Sequence, residues 1–575
     1  MVETEARAAE PSSESWSTIP WRELERRVYR LQKRIYRAQS RGHVQAVHSL
    51  QRLLMKSWSA RALAVRRVTQ DNRGKKTAGI DGVKSVGPMT RLLFVDRLRA
   101  PRTIRACPVR QVLIPKPGKP DDLRPLGIPV LLDRAHQALV KHALEPQWEA
   151  VFERHSYGFR PGRSCHDAIE AIFTMIATKD KYVLDADIKG CFTHIDHQAL
   201  LAKLHTTPHI RQTVKGWLRA GVLSDGVFTP TTSGTPQGGV LSPLLANIAL
   251  HGLEQAAARS YRDKGGSPSL IRYADDFVVL HPSLEGIEAS KTAIEHWLGG
   301  MGLHLSPTKT RVAHTLRPHE GNVGFDFLGF TIRQYPRGRC HTGKATNGKP
   351  LGFKTYITPS KEAIKRHTTE IGTFIRQHRT VSQEDLIGRL NPKIRGWANY
   401  YRAAASAGTF QHCDAQLFAL LLRWGRRRHQ NKSVRWIVAR YWHPRQGRTW
   451  TFAPTTGPAL RYHIHTRRRR HVKVRGAASP FDGNLVYWAR RLRHHPLTRT
   501  TLGWLLQRQG GACARCGLLF NDEDCIEIDH DCPTVLGGTP TSANMQALHR
   551  HCHDKKTAHD GSIHRRVAGT PDKTP

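Results

Sequence analysis

Acidic residues are scarce in this chain: 46 Asp and Glu stand against 90 Lys and Arg, a net charge of +44. A surface so basic repels itself unless a polyanion neutralises it, which makes nucleic acid the natural partner. Charge alone leaves a ribosome-associated or membrane-surface protein open. Long apolar runs are also missing. The longest, such as LFALLL from Leu417, fall far short of the roughly 20 residues that span a bilayer. The N-terminus is acidic and Ser-rich without an apolar stretch, so no secretion signal is read there. Cysteines are thin in the N-terminal half, where Cys107, Cys165 and Cys191 show no framework spacing. Half of the ten lie after residue 510. The scattered set fits a reducing compartment and the C-terminal cluster suggests a metal. The expectation is a soluble, intracellular protein with no membrane partner. There is no internal repeat.

At 575 residues the chain is too long for one core, and 39% hydrophobic content is ordinary for folded domains. Residues 1–18 read as disordered. Trp21, Leu24, Val28, Leu31 and Ile35 then recur at helical spacing among Arg and Lys, and a second helical stretch runs from Val44 to Leu54. The segment 19–74 is thus a basic helical extension, suited either to an RNA backbone or to ordinary helix packing. Residues 75–350 alternate short β-rich runs, helical stretches and Gly/Pro breaks, which predicts a mixed α/β domain. Residues 351–450 read as mainly helical, with Ser382 and Asp385 as a capping signal. Residues 451–500 form a basic segment containing Arg467–Arg470 and Arg475, either a solvated tail or a DNA contact. Residues 501–575 form a compact Cys/His-rich end.

IRYADDFVVL places Asp275 and Asp276 on a turn between apolar runs, a β-hairpin with acids at its tip. Upstream, KYVLDADIKGCF is a strand ending in Asp185 and Asp187. Phosphoryl transfer to a primer hydroxyl needs carboxylates that hold two metal ions about 4 Å apart, and two adjacent strands can supply them. A lone ADD is usually a surface turn. Here it stands in order with RPLGIP around Arg124, SYGFRPGRS around Arg160, GTPQGGVLSPLLANIAL around Gln237, and GLHLSPTKT with Lys309.

This ordered set closely resembles the fingers and palm of group II intron reverse transcriptases. The resemblance extends through a helical thumb, or maturase domain, around RLNPKIRGWANYY. It implies that Asp187, Asp275 and Asp276 are the catalytic Mg²⁺-binding acids, with Asp276 contributing either ligation or structure and charge. Lys116 and Arg124 correspond to fingers residues that neutralise the triphosphate of a deoxynucleotide, and Gln237 to the loop that contacts it. Phe192 falls where related enzymes place an aromatic steric gate against a 2′-hydroxyl, or is a core aromatic. Lys309 assists the pyrophosphate or is an ordinary exposed lysine. One departure stands beside the site: Thr193 and His194 replace the family's common Asp-Asn. In RLNPKIRGWANYY, Lys393 and Arg395 suit RNA phosphates, whereas Trp397, Tyr400 and Tyr401 read more readily as core than as base-stacking groups.

At the C-terminus, Cys513-x-x-Cys516, EIDHDCP, a Gly-Gly, Asn544 and LHRHCHDKK resemble the HNH endonucleases. An imidazole can deprotonate water while a hard cation polarises the scissile phosphate. By resemblance His530 is the general base, Asn544 orients it, and Asp529 with His553 holds Mg²⁺. Cys513, Cys516 and Cys552 look like structural Zn²⁺ ligands. His549 is preferred as the fourth, with Cys525 and Cys532 as competitors. The fold expected is a right-hand polymerase with a helical thumb and a small zinc-containing ββα-type HNH domain.

The resemblance implies a ribonucleoprotein of a bacterial, nucleoid-associated type, with intron RNA and target DNA as partners and a homodimer left open. It would assist splicing, nick DNA and copy the intron by target-primed synthesis. The rivals are a splicing cofactor with an inactive polymerase, a nuclease on a polymerase-like scaffold, and a host-adapted defence enzyme. An inactive polymerase should have lost the acids or the Gln-Gly-Gly loop, and all are present.

Overall fold

The computed structural model describes residues 16–560, other than 100–104, 117, 264, 339, 446 and 521–523. The expectation of disorder over 1–18 lies mostly outside them, but it fails at its end. Trp16 is only 3% exposed, meets Trp21 edge-on at 4.9 Å, and donates its indole N–H to Gln70. Its ring area outweighs the polar composition around it.

The helix Trp21–Ser40 buries Trp21, Leu24, Val28, Gln32, Ile35 and Ala38, a single stripe at helical spacing. Each large apolar group on it stabilises docking by about 1.5–3 kcal/mol. With Val44–Lys56 and Trp58–Arg66 it packs on the long helix Leu131–Glu149. The apolar face of the N-terminal extension is therefore core. Most of its Arg and Lys are solvent-accessible, but Arg61 and Arg66 are buried, Arg61 donating to the Val95 carbonyl and Arg66 pairing with Asp71.

Two four-stranded sheets follow. One orders Lys119–Ile128, Val109–Lys116, Val222–Ser224 and Val227–Thr229. The other orders Ser269–Tyr273, Asp276–His281, Tyr182–Asp187 and Arg311–His314, all antiparallel. Val278, Val279 and Leu280 alternate between two cores, one shared with the N-terminal helices and one shared with the helical region beyond. A three-stranded sheet, Phe325–Phe327, Phe330–Pro336 and Phe353–Pro359, crosses the expected boundary at residue 350. The helical region accordingly starts at Lys361 and comprises Lys361–Gln377, Gln383–Tyr401, Ala407–Arg428 and Val434–Tyr441. Ser382 caps the second of these by accepting from the Asp385 N–H. Trp397 stacks on His367 at 4.4 Å and Tyr401 is 3% exposed, so these rings build core. Among the described residues no helix is long and apolar enough to cross a membrane.

The basic segment is docked, not free. Asp167, fully buried at the start of the helix Cys165–Ile176, accepts from His471 Nε2 (3.1 Å) and the Val474 N–H (2.8 Å) and pairs with Arg491. Val474 and Trp488 enter the core beside the second four-stranded sheet. Arg467, Arg468, Arg470 and Arg475 remain exposed. Burial alone would raise the Asp167 carboxyl, but its bonds to His471, Arg491 and Val474 hold it well below the usual carboxylate range. A depressed folded pKa gives stability that is present above the unfolded value and lost as pH falls through the folded one. The docking should thus persist at neutral pH and fail only in strong acid. Asp167→Asn, which leaves a buried cation uncompensated, should cost about 3–5 kcal/mol. Limited proteolysis of the 466–485 stretch, compared with wild type, checks this, and unchanged protection would refute it.

Candidate active sites

Antiparallel pairing sets Asp187, at the end of its strand, directly opposite Asp276 at the start of the neighbouring one. Asp275 sits on the turn just before. Burial and the charges of Asp275 and Asp187 push Asp276 up to about 7, and burial also raises Asp275. Three carboxylates this close cannot all ionise comfortably unless a cation joins them, so the donor set fits a hard divalent metal.

Cations converge from two sides. Lys309 Nζ lies 2.6 Å from Asp187 Oδ2, and Arg124, on Lys119–Ile128, is close enough to lower Asp275. Lys116 lies on the adjacent strand but is held by Asp122 at 2.8 Å. Gln237 occupies the loop before the helix Ser242–Ala249, where its carbonyl accepts from the Gly127 N–H of the first sheet. Phe192 is half-buried on the short helix Cys191–His194 and meets the exposed Phe159 edge-on at 6.2 Å. Thr193 Oγ1 and the His194 ring both contact the Gly190 carbonyl, so the unusual pair closes the turn behind Phe192.

The C-terminal unit pairs Ile526–His530 with Met545–His549 and adds the helix Arg550–His559. Cys513, Cys516, His549 and Cys552 are all buried, with ligand atoms within 4.8 Å of one another. Cys525 and Cys532 lie outside that cluster, the first half-buried and the second exposed. His549 turns Nδ1 towards Cys516 Sγ (3.3 Å) and Nε2 towards Asp524 (3.4 Å). That is how a metal-binding imidazole is usually oriented.

Asp529 Oδ1 lies 3.8 Å from His553 Nε2, and Asp529 Oδ2 lies 2.9 Å from Lys556 Nζ. Among the described residues His530 Nε2 is buried with no hydrogen-bond partner. Asn544 makes no hydrogen bond to that ring. Its amide binds the Cys532 N–H and carbonyl and the Thr539 carbonyl, so it fixes the loop that leaves His530. Gly538 completes this loop because a Cβ there would lie 2.0 Å from the Cys532 carbonyl oxygen. Sequence reasoning passed over Lys556 and Asp524. Lys556 follows His553 by three residues on one helix, a spacing that shares a face and was a legible signal.

Comparison with known proteins agrees along the chain. Residues 16–98 match the N-terminal domain of reverse transcriptase, and 114–332 match reverse transcriptase (RNA-dependent DNA polymerase). Residues 364–442 match the group II intron maturase-specific domain, and 513–559 match HNH endonuclease. Protein YkfC of Escherichia coli K12 is 32% identical over 331 residues, covering 49% of this chain and 83% of that protein. The chain belongs to the group II intron-encoded reverse transcriptases with maturase and HNH domains.

Group II intron-encoded protein LtrA of Lactococcus lactis is 30% identical over 374 residues, 52% of this chain and 61% of the relative. An uncharacterized 91 kDa protein in the cob intron of Schizosaccharomyces pombe is 27% identical, with 44% of its length covered. By family the chain is an intron-encoded reverse transcriptase with splicing and endonuclease roles, combining RNA-directed DNA polymerase and DNA endonuclease domains. Its acid-bearing sheet is the palm, and nucleic acids are its substrates.

Proposed function

We propose that the protein binds its group II intron RNA, assists splicing, nicks target DNA with the HNH unit, and extends the nicked strand from Asp187, Asp275 and Asp276. The observation that carries the polymerase reading is the cross-strand pairing of Asp187 with Asp276 beside Asp275. These carboxylates would hold Mg²⁺, which lowers the charge barrier to attack and steadies the departing pyrophosphate. Arg124 neutralises triphosphate charge from the fingers side, and Lys116 joins it when released from Asp122. Lys309 balances Asp187 before substrate arrives. Phe192, backed by Phe159, closes the sugar side of the deoxynucleotide site.

In the HNH unit, the unpartnered Nε2 of His530 is free to take a proton from water. Asp529 and His553 hold Mg²⁺, and Lys556 fixes the second oxygen of Asp529. Zn²⁺ on Cys513, Cys516, His549 and Cys552 keeps this unit folded. The helices from Lys361 to Tyr441 act as the thumb and maturase surface, where exposed Arg395 contacts RNA. Exposed Arg467, Arg468, Arg470 and Arg475 contact DNA. Sedimentation of the ribonucleoprotein reads whether one or two copies bind.

A coupled assay tests the order of events. Ribonucleoprotein is mixed with end-labelled target duplex, Mg²⁺ and deoxynucleotides, and nicking and extension are read on one gel. His530→Ala should abolish the nick and, with it, extension, while a pre-nicked duplex should restore extension. Failure of the pre-nicked duplex to rescue would sink the two-site reading.

A further inference from the structure

The turn that presents Asp275 is gripped from beneath. Ala274, just before it, has φ +60°, a left-handed backbone that residues with a Cβ adopt at a cost. Its carbonyl accepts from Arg272 Nη1 at 3.1 Å. The same Nη1 donates to Asn247 Oδ1 at 2.9 Å, and Asn247 Nδ2 donates to the Gly158 carbonyl at 2.8 Å. Gly158 lies flat on the turn, since a Cβ there would come within 2.2 Å of the Ala274 nitrogen. The main chain repeats the contact: the Arg272 N–H donates to the His155 carbonyl (2.8 Å) and the Tyr157 N–H donates to the Arg272 carbonyl (2.9 Å).

Arg272 is 1% exposed, the largest fully buried side chain among those described. Its Nε and Nη2 have no hydrogen-bond partner, and no carboxylate pairs with it among the described residues. Burying an unpaired guanidinium is costly, and an apolar residue would fill the space better if packing were its only task. The carboxylates that act on its charge are Glu153 and Glu254, neither close enough to form an ion pair with it.

We propose that Arg272 is a positioning residue of the polymerase site: through Ala274 and Asn247 it clamps the catalytic turn onto the Gly158 backbone. The inference rests on the reading of Asp275 as a polymerase metal ligand. Two segments far apart in sequence, SYGFRPGRS and LLANIAL, are thereby tied to one turn.

Primer extension on an RNA template by the full-length protein tests this, with kcat, deoxynucleotide KM and the half-saturating Mg²⁺ concentration measured for Arg272→Met, Arg272→Lys and Asn247→Ala. Arg272→Met should lower kcat by about 30-fold and raise the half-saturating Mg²⁺ by about fivefold, with KM changed less than about threefold. Arg272→Lys, which keeps the charge and a donor, should recover to within about fivefold of wild type. DNA nicking by the same preparations should be unchanged.

If Arg272→Met does not fold, Asn247→Ala decides, with an expected drop of about five- to tenfold in kcat. Wild-type Mg²⁺ dependence in whichever variant folds, or nicking lost in parallel with extension, would overturn the proposal. If Asp275→Ala still extends primers, the polymerase reading has failed. If Asp275→Ala is dead while Arg272→Met behaves as wild type, the clamp alone has failed.

Discussion

Asp275→Ala is expected to reduce primer extension on RNA by at least about 1,000-fold, because removing one metal-holding carboxylate forfeits roughly 4 kcal/mol of transition-state stabilisation. Two features of the site make the effect large. Asp275 is carried on a turn fixed from below, so no neighbour can swing in to replace it. The other two acids face each other across a ladder, Asp187 opposite Asp276, and cannot reach the vacated position without breaking strand register. Truncation also relieves charge, which should bring Asp276 down from about 7. The variant should therefore fold at least as well as wild type, so lost activity cannot be blamed on unfolding. Asp275→Asn should be nearly as inactive, since it keeps the shape and loses the charge. Intron RNA binding and DNA nicking are the internal controls and should persist. Extension within tenfold of wild type would remove Asp275 from the metal site.

What the sequence made legible was local. The acids of IRYADDFVVL and KYVLDADIKGCF lie at strand ends because short continuous apolar runs, buried on both faces, flank them. The pairing that brings them together follows from the same pattern. The stripe from Trp21 to Ile35 was readable too, as one face of a helix at fixed spacing. What stayed hidden depends on contacts between distant segments. Asp167 meets His471 across 304 residues, and no spacing in either stretch announces it. Arg470 and Arg475 looked like part of a free basic run, yet the stretch they belong to is tied down by Val474 and Trp488. Arg272 was quoted within a motif and passed over, since a cation in a strand reads as an exposed residue until its burial is known. Asn544 shows the intermediate case. Its place in the H-N-H order was visible, but its hydrogen bonds, to the loop and not the ring, could only come from geometry.

Chelation should separate the two enzymes of this chain. The core of the C-terminal unit consists of Leu505, Leu506, Phe520, Ala547 and Leu548 with three cysteines, Cys513, Cys516 and Cys552. So small an apolar cluster cannot by itself offset the conformational entropy of ordering the unit, and domains of this size rely on a metal. Structural zinc supplies on the order of 10–16 kcal/mol in such settings. Its removal should therefore unfold the unit, not merely weaken it. A strong zinc chelator, followed by exchange into excess Mg²⁺, is expected to cut nicking of target DNA by at least about 100-fold. Primer extension should stay within about twofold of wild type, because the palm acids draw on separate cores. Cys516→Ser should reproduce the loss and lower bound zinc, whereas Cys525→Ser and Cys532→Ser should retain it, since both lie outside the four-residue cluster. Zinc that survives Cys516→Ser but leaves with Cys525→Ser would place the metal on a different set. Extension that collapses together with nicking would show instead that the C-terminal unit holds up the polymerase.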